Sequence, residues 1–469
     1  MSLAATRQQN VSSFFRNGDM FGTVATGIET AGGEYGQSRP VTVPLGGMDQ
    51  NRFETGLTRL CIFLDKLPIN HSRSIMDARD NPYVPGAGTP PPELAGRHDV
   101  LERAEIALTR IQRRRPSKSL IVVGLRGVGK TVLLVRFQSQ AQKLGYESAL
   151  IEAHEGKTLP ELIVPPLRRL LFSLSLTAAA GDKGRKALRA LRSFMGSVKI
   201  TWNDMELGIE PAIGTADSGD LEHDLADLFV AVGEAAAEKE TAVAMCIDEM
   251  QYLSEKEFSA LIMALHKVSQ LNLPLIVVGA GLPQILGLAG ESKSYAERLF
   301  DYPPVGPLNA DDASQAIQRP ARDMNVLFEP AAIARMVSVT KGYPYFLQQW
   351  GYEAWNIASK SPITLEDVEK ATANAISALD QSFFRVRFDR CTPSEKRYMR
   401  ALADLGEGAK RSGDIADRLG VKVTSVGPTR SKLITKGMIY SPQHGETAFT
   451  VPLFDEYMRR TMPGTDWKR

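Results

Sequence analysis

The stretch SLIVVGLRGVGKTVLLVRF, Ser119 to Phe137, joins an apolar run, a glycine-rich turn and a second apolar pattern end to end. Leu120 to Val123 have the length and aliphatic composition of a buried strand. From Lys130 the apolar spacing becomes that of a helix. Between them, Gly124 to Thr131 fill the pattern G-x-x-x-x-G-K-[ST] without a gap. The chemistry needs each part. Gly124, Gly127 and Gly129, with Val128 between the last two, let backbone N–H groups curl around phosphate oxygens with no side chain in the way. The helix that starts at Lys130, with Thr131 and Val132 in its first turn, turns its positive end to the same anion. Lys130 reaches the β and γ phosphates, and the Thr131 hydroxyl is placed to ligate Mg²⁺.

Such a loop needs partners for the metal and for an attacking water. VAMCIDEMQYL supplies Asp248 and Glu249 at the end of another apolar strand. Asp248 is expected in the Mg²⁺ shell, and Glu249 is expected to polarise water toward the γ phosphate.

Outward from the loop, ESALIEA, AVAMCIDEMQYL and LPLIVVGAG read as further strands separated by helical patterns. Strands alternating with helices predict a parallel sheet covered on both faces. SVKITWNDMELGIEP alternates with period two and is expected as an inserted hairpin. Four helical segments follow between Asn309 and Leu379, then short helices and two strands. The predicted organisation is therefore a weakly structured extension over 1–90 with one helix at Arg52 to Leu67, and an α/β phosphate-loop domain over 91–307. An all-α lid over 308–380 and a C-terminal domain over 381–469 complete it.

With 469 residues, more than one core is expected. A hydrophobic share of 43% and a charged share of 23% are ordinary for a soluble protein. No apolar run spans a bilayer, and the N-terminus lacks the apolar core of a signal peptide, so a cytoplasmic location without membrane contact is expected. Cys61, Cys246 and Cys391 lie far apart and suggest neither a metal cluster nor a disulfide. A net charge of +2 excludes no partner class.

Residues from about 94 to 465 resemble AAA+ P-loop ATPases of the initiator/origin-recognition-like and STAND-like group. LAGRHDVLERA resembles the group's entry motif, which implies that Arg97 lies near the nucleotide; His98-Asp99 and the late Glu102 depart from it. The phosphate loop and the Asp248-Glu249 pair correspond to the Walker A and Walker B motifs. SYAERLFDYPPVGPLNADDA resembles the segment with an arginine before the lid, so Arg298 is implied as a catalytic finger inserted into a neighbour's site in a homo-oligomer. The alternative is a surface arginine paired with Glu297 or Asp301. KGYPYFLQQWG places Tyr343 and Pro344 where STAND-like members carry a turn near adenine, although Pro also suits any helix entry. ATP, rather than GTP, is implied by the resemblance alone. Two departures favour a slow switch over a motor. The strand after Walker B ends VVGAG, with Gln284 the first uncharged polar residue, and Pro344 stands where initiator-like proteins often have arginine.

The C-terminal block opens with Thr392-Pro393-Ser394-Glu395, a capping box with Pro at the first helical position. RSGDIADRLG is a short helix stopped by Gly420, and a third helix is expected from an N-cap at Thr424 to a stop at Gly437. MIYSP and TAFTVP then form a hairpin. Three helices and a hairpin in this order resemble a winged helix-turn-helix. Its third helix would enter the major groove of duplex DNA with Thr424, Ser425, Thr429, Arg430 and Lys432 as polar contacts. Residues 392–469 carry fourteen Lys and Arg against nine Asp and Glu, which suits phosphate contact. Winged helices also dock on proteins, so a protein partner stands as the alternative.

Overall fold

The computed structural model describes residues 8–16, 19–27, 41–44, 76–86, 91, 94–175, 182–200, 211–292 and 296–468. The chain divides into two units, Met1–Arg73 and Ser74–Arg469. In the first, β1 (Gln8–Arg16), β2 (Asp19–Gly27) and β3 (Val41–Pro44) pair as an antiparallel meander. The helix expected at 52–67 lies outside the described residues.

The second unit is built on five parallel strands: β4 (Ser119–Val123), β5 (Glu147–Glu152), β6 (Val243–Asp248), β7 (Leu275–Gly281) and β8 (Phe300–Asp301). Their order is β5-β6-β7-β4-β8. Burial on both faces explains why the central strands read as unbroken apolar runs. Ile121 and Val123 point into one core while Leu120 and Val122 point into the other. Helices α1 (His98–Gln112) and α2 (Lys130–Lys143) cover the second face with Leu108, Leu133 and Phe137. The first face is covered by α3 (Leu159–Ser175), α4 (Asp182–Ser197), α5 (Leu221–Glu238) and α6 (Glu255–Gln270). Short α7 (Ile285–Ser292) and α8 (Ala296–Leu299) lead to β8. Most of the stretch expected as a hairpin, 201–210, lies outside the described residues.

The four lid helices are α9 (Ala310–Asp323), α10 (Pro330–Thr340), α11 (Pro344–Ile357) and α12 (Leu365–Leu379). Residues 76–86 lie along this lid. The Tyr83 hydroxyl donates to the Ile317 carbonyl, and the Trp355 indole donates to the Asp77 carbonyl at 3.0 Å. A π-helical turn, Asp380–Phe384, and α13 (Arg385–Asp389) join the lid to the C-terminal region.

That region runs α14 (Pro393–Asp404), β9 (Lys410–Arg411), α15 (Ser412–Leu419), α16 (Val423–Thr435), β10 (Ile439–Tyr440), β11 (Glu446–Phe449) and α17 (Phe454–Thr461). The capping box at Thr392 and Glu395 forms as expected. The N-cap of α16 does not fall at Thr424 but two residues earlier, at Lys422, which has extended backbone, so Thr424 sits inside the first turn. Strand β9 was not legible; it is two residues long and completes an antiparallel sheet of order β10-β11-β9. One continuous core joins the lid to this region. At its centre Phe384 packs on Phe346 of the lid and on Phe454 and Tyr457 of α17. No helix among the described residues is long and apolar enough to cross a membrane.

Candidate nucleotide site

The glycine-rich turn leaves the C-terminal end of β4 and enters α2. Gly127 and Gly129 have φ of 81° and 92°, left-handed values that a side chain resists. Gly124 serves a different need. Its N–H donates to the Gly281 carbonyl at 3.1 Å, and a Cβ there would strike the Val305 carbonyl, so it permits close packing. Lys130 is buried and its Nζ donates to the Leu125 carbonyl at 2.9 Å, folding the amine onto its own loop. Burial pushes this amine down to about 8, against the pull of Glu249 and Asp248.

The strand-end carboxylates converge on this loop. Thr131 Oγ1 donates to Asp248 Oδ2 at 2.5 Å. Asp248 is held above the usual carboxylate range, chiefly by burial. A hydroxyl and a desolvated carboxylate in contact, beside a phosphate loop, form a donor set of oxygens suited to Mg²⁺. Glu249 takes φ of 52°. Its Oε1 pairs with Arg126 Nη1 at 3.3 Å, and its Oε2 accepts from Gln251 Nε2. Gln251 Oε1 in turn accepts from the Leu282 N–H at 3.0 Å, so an amide links the carboxylate to the end of β7. That place was expected to lack a polar group before Gln284. Gln284 instead donates to the Ile434 carbonyl of α16 at 3.4 Å.

A cavity of about 510 Å³ opens over the loop, within the range of small-ligand sites. Gly127, Val128, Gly129, Lys130, Thr131, Val132, Glu249, Arg97 and Pro344 line it. Arg97 is spent on carbonyls: its Nη2 donates to Gly306 at 2.6 Å and Val128 at 3.1 Å, bracing the loop rather than pointing at phosphate. Tyr343 packs between the sheet core and the lid core, and its successor Tyr345 lines the cavity. The Tyr345 N–H donates to the Gly127 carbonyl at 3.1 Å, so lid and phosphate loop touch directly. Val84, Leu94, Gln348, Phe383 and Arg387 also line the cavity and were not singled out from the sequence. Their positions depend on contacts between distant segments, which no local pattern encodes. Arg298 lies elsewhere. It lines a separate cleft with Lys118 and Asn272, near the N-terminal end of β4, whereas the phosphate loop leaves the opposite end.

Arg126, within the phosphate loop, makes the widest set of bonds. Its N–H donates to the Thr450 carbonyl at 3.1 Å and its Nε to the Gly437 carbonyl at 3.4 Å, both in the C-terminal region. Its Nη2 donates to the Tyr252 hydroxyl at 3.2 Å while Nη1 holds Glu249.

The C-terminal end of α16 is therefore turned toward the nucleotide site, and its N-terminal end is not. Thr424, Ser425 and Lys432 are exposed, and Thr429 is half-buried. Arg430 is engaged internally, donating to Thr447 Oγ1, Ser441 Oγ and the Glu446 carbonyl, each at 2.8 Å.

Among solved structures the chain is similar to a Walker-type ATPase of Pyrococcus abyssi, at 18% identity over 82% of this chain and 99% of that one, with a TM-score of 0.48. It is also similar to the Orc1 protein of Aeropyrum pernix in complex with DNA, at 15% over 79% and 94%, TM-score 0.42. The RuvB Holliday junction branch migration motor of Thermotoga maritima is a third, at 15% over 76% and 92%, TM-score 0.39. No curated protein matches. Residues 381–458 match the model of a domain of unknown function, DUF8462. Residues 93–278 match the model of the AAA ATPase domain.

Proposed function

We propose that the chain is an ATP-binding, Mg²⁺-dependent AAA+/STAND-like ATPase whose nucleotide state controls a C-terminal winged helix that binds duplex DNA. The observation that carries this reading is Arg126. One residue of the phosphate loop holds the Walker B glutamate and two carbonyls of the C-terminal region at once. Any rearrangement of the loop around phosphates acts on both.

In this reading Lys130, Thr131 and the loop N–H groups of 127–132 bind the polyphosphate. Pro344, Tyr345 and Leu94 enclose the base. Mg²⁺, held by Thr131 and Asp248, would neutralise charge on the β and γ phosphates. Glu249 takes a proton from a water aligned with the γ phosphorus. The oxygen of that water bonds to phosphorus, the bond to the β,γ-bridging oxygen breaks, and ADP and phosphate leave. Glu249 can do this only after giving up Arg126, which supports slow, gated turnover. Arg298, at the far end of β4, would act only in a neighbouring subunit of a homo-oligomer.

Helix α16 offers Thr424 and Ser425 to a groove from its N-terminal turn, with the exposed Lys432 in its last turn. The second reading, a protein partner, is favoured by Val421 and Val423, which are 45% and 53% exposed at that same turn. Fluorescence anisotropy on duplex DNA, with ATP, ADP or no nucleotide at two salt concentrations, separates the two. Salt-sensitive binding that changes several-fold with nucleotide, and no longer changes in Lys130→Ala, supports the DNA switch. No binding under any condition removes it and leaves the protein-docking reading.

A further inference from the structure

One half-buried cation in the cavity has no role in the scheme above. Arg387, on α13, lines the same space as Lys130 and Glu249. Its Nη1 donates to the Phe383 carbonyl at 2.6 Å, and its guanidinium lies 3.9 Å over the Phe383 ring. Phe383 stacks on Tyr345 with centroids 4.7 Å apart, and Tyr345 is bonded to Gly127 of the phosphate loop. The guanidinium is thus tied to the loop through Phe383 and Tyr345.

Among the described residues no carboxylate lies within salt-bridge distance of Arg387. Its neighbours differ: Arg385 pairs with Asp389, and Arg460 pairs with Asp380. Burial, with repulsion from Arg126, pushes the Arg387 guanidinium down to about 10. A desolvated cation beside a second cation is unfavourable until an anion joins them. The backbone adds an independent observation. The sole π-helical turn among the described residues, Asp380–Phe384, stands directly before α13. One extra residue in a turn rotates everything after it by about 100° about the helix axis. That rotation sets the direction in which Arg387 leaves α13.

We propose that Arg387 binds the terminal phosphate of the nucleotide held by the phosphate loop, and so distinguishes a nucleoside triphosphate from a diphosphate. The inference rests on the nucleotide reading above. Arg387 shares its cavity with Arg126, Lys130 and Glu249, the groups beside which a terminal phosphate on this loop would lie, which is why that phosphate is its ligand. A guanidinium suits phosphate oxygens through its planar fork. Because α13 joins the lid to α14, the contact ties the terminal phosphate to the segment that carries the C-terminal region.

The test is titration of the full chain with Mg²⁺ and either a β,γ-imido ATP analogue or ADP, for wild type, Arg387→Met and Arg387→Lys. Arg387→Met is expected to weaken the analogue roughly 10- to 100-fold, the scale of one charge-assisted contact. ADP affinity is expected to stay within about two-fold, which also reports that the variant is folded, and Arg387→Lys is expected to recover part of the loss. Equal loss of both nucleotides in both variants, or loss of neither, overturns the proposal. If wild type binds neither nucleotide, the nucleotide reading itself fails and Arg387 fails with it.

Discussion

Arg126 and Glu249 form an ion pair, Nη1 to Oε1 at 3.3 Å, with side chains 18% and 20% exposed. The arginine belongs to the phosphate loop and the glutamate to the end of β6, so the contact crosses the place where a terminal phosphate would lie. Removing the arginine frees Glu249 Oε1, while Oε2 stays bonded to Gln251. Arg126→Ala is expected to raise ATP turnover about five-fold, since a pair of this exposure is worth about 1 kcal/mol. Phosphate release at saturating ATP measures it. A fall in turnover would make Arg126 a phosphate ligand in its own right.

Glu249→Gln keeps the shape and loses the base. Nucleotide affinity is expected to be unchanged, while hydrolysis falls by roughly 10²- to 10⁴-fold. Comparing equilibrium binding with phosphate release separates the two, and a parallel loss of binding would remove Glu249 from the role of base.

The pH dependence of nucleotide affinity follows from Lys130. Its amine stands at about 8 because burial disfavours the charge. Bound phosphates favour the charged form and raise that value. Binding therefore takes up a proton above pH 8 and none well below it. Affinity is expected to be flat to about pH 8 and to fall beyond, by up to about ten-fold per unit. Calorimetry in buffers of different ionisation enthalpy should show proton uptake at pH 9 and none at pH 6.5.

Arg430 and Lys432 lie two residues apart on α16 and should fail differently. Arg430 is bonded to Thr447, Ser441 and the Glu446 carbonyl, whereas Lys432 is exposed. Arg430→Ala is expected to lower thermal stability, by about 1–3 kcal/mol for a brace that leaves acceptors unmet. Lys432→Ala should leave stability alone and weaken DNA binding, reducing the salt slope by about 1. Differential scanning fluorimetry and anisotropy read the two effects.

The loop, the strand-end acidic pair and the alternation of strands and helices were legible because each is written in neighbouring residues. Gly127, Lys130 and Thr131 need only their own segment and the start of α2. Arg126 was not legible as a hub, because Gly437 and Thr450 lie more than 300 residues away. Arg387 was hidden for a similar reason: its direction depends on a π turn that hydrophobic spacing does not announce. Gln251 was passed over because its amide spans two strand ends that meet only in the folded sheet. Tyr343 was taken for the lining residue, but the backbone turn sends it into the core and gives the cavity to Tyr345.

Gly342 controls how the lid meets the loop. Its φ is 69°, and a Cβ there would strike the Leu308 carbonyl. The Leu308 N–H donates back to the Gly342 carbonyl at 2.9 Å, so the connector and the lid turn are joined on both sides. Alanine cannot keep both the left-handed backbone and this approach, and either the connector or Tyr345 must shift. Gly342→Ala is expected to cost about 1–3 kcal/mol from strain and overpacking. It should also weaken nucleotide binding several-fold, as Tyr345 leaves Gly127. Gly287 in α7 is the control, with open space where its Cβ would stand. Gly287→Ala is expected to stabilise by about 0.5–1 kcal/mol and to leave binding alone, as helix propensity alone dictates. Thermal unfolding and nucleotide titration of the two variants give the comparison. Equal effects would mean that the Gly342 turn does not position the lid.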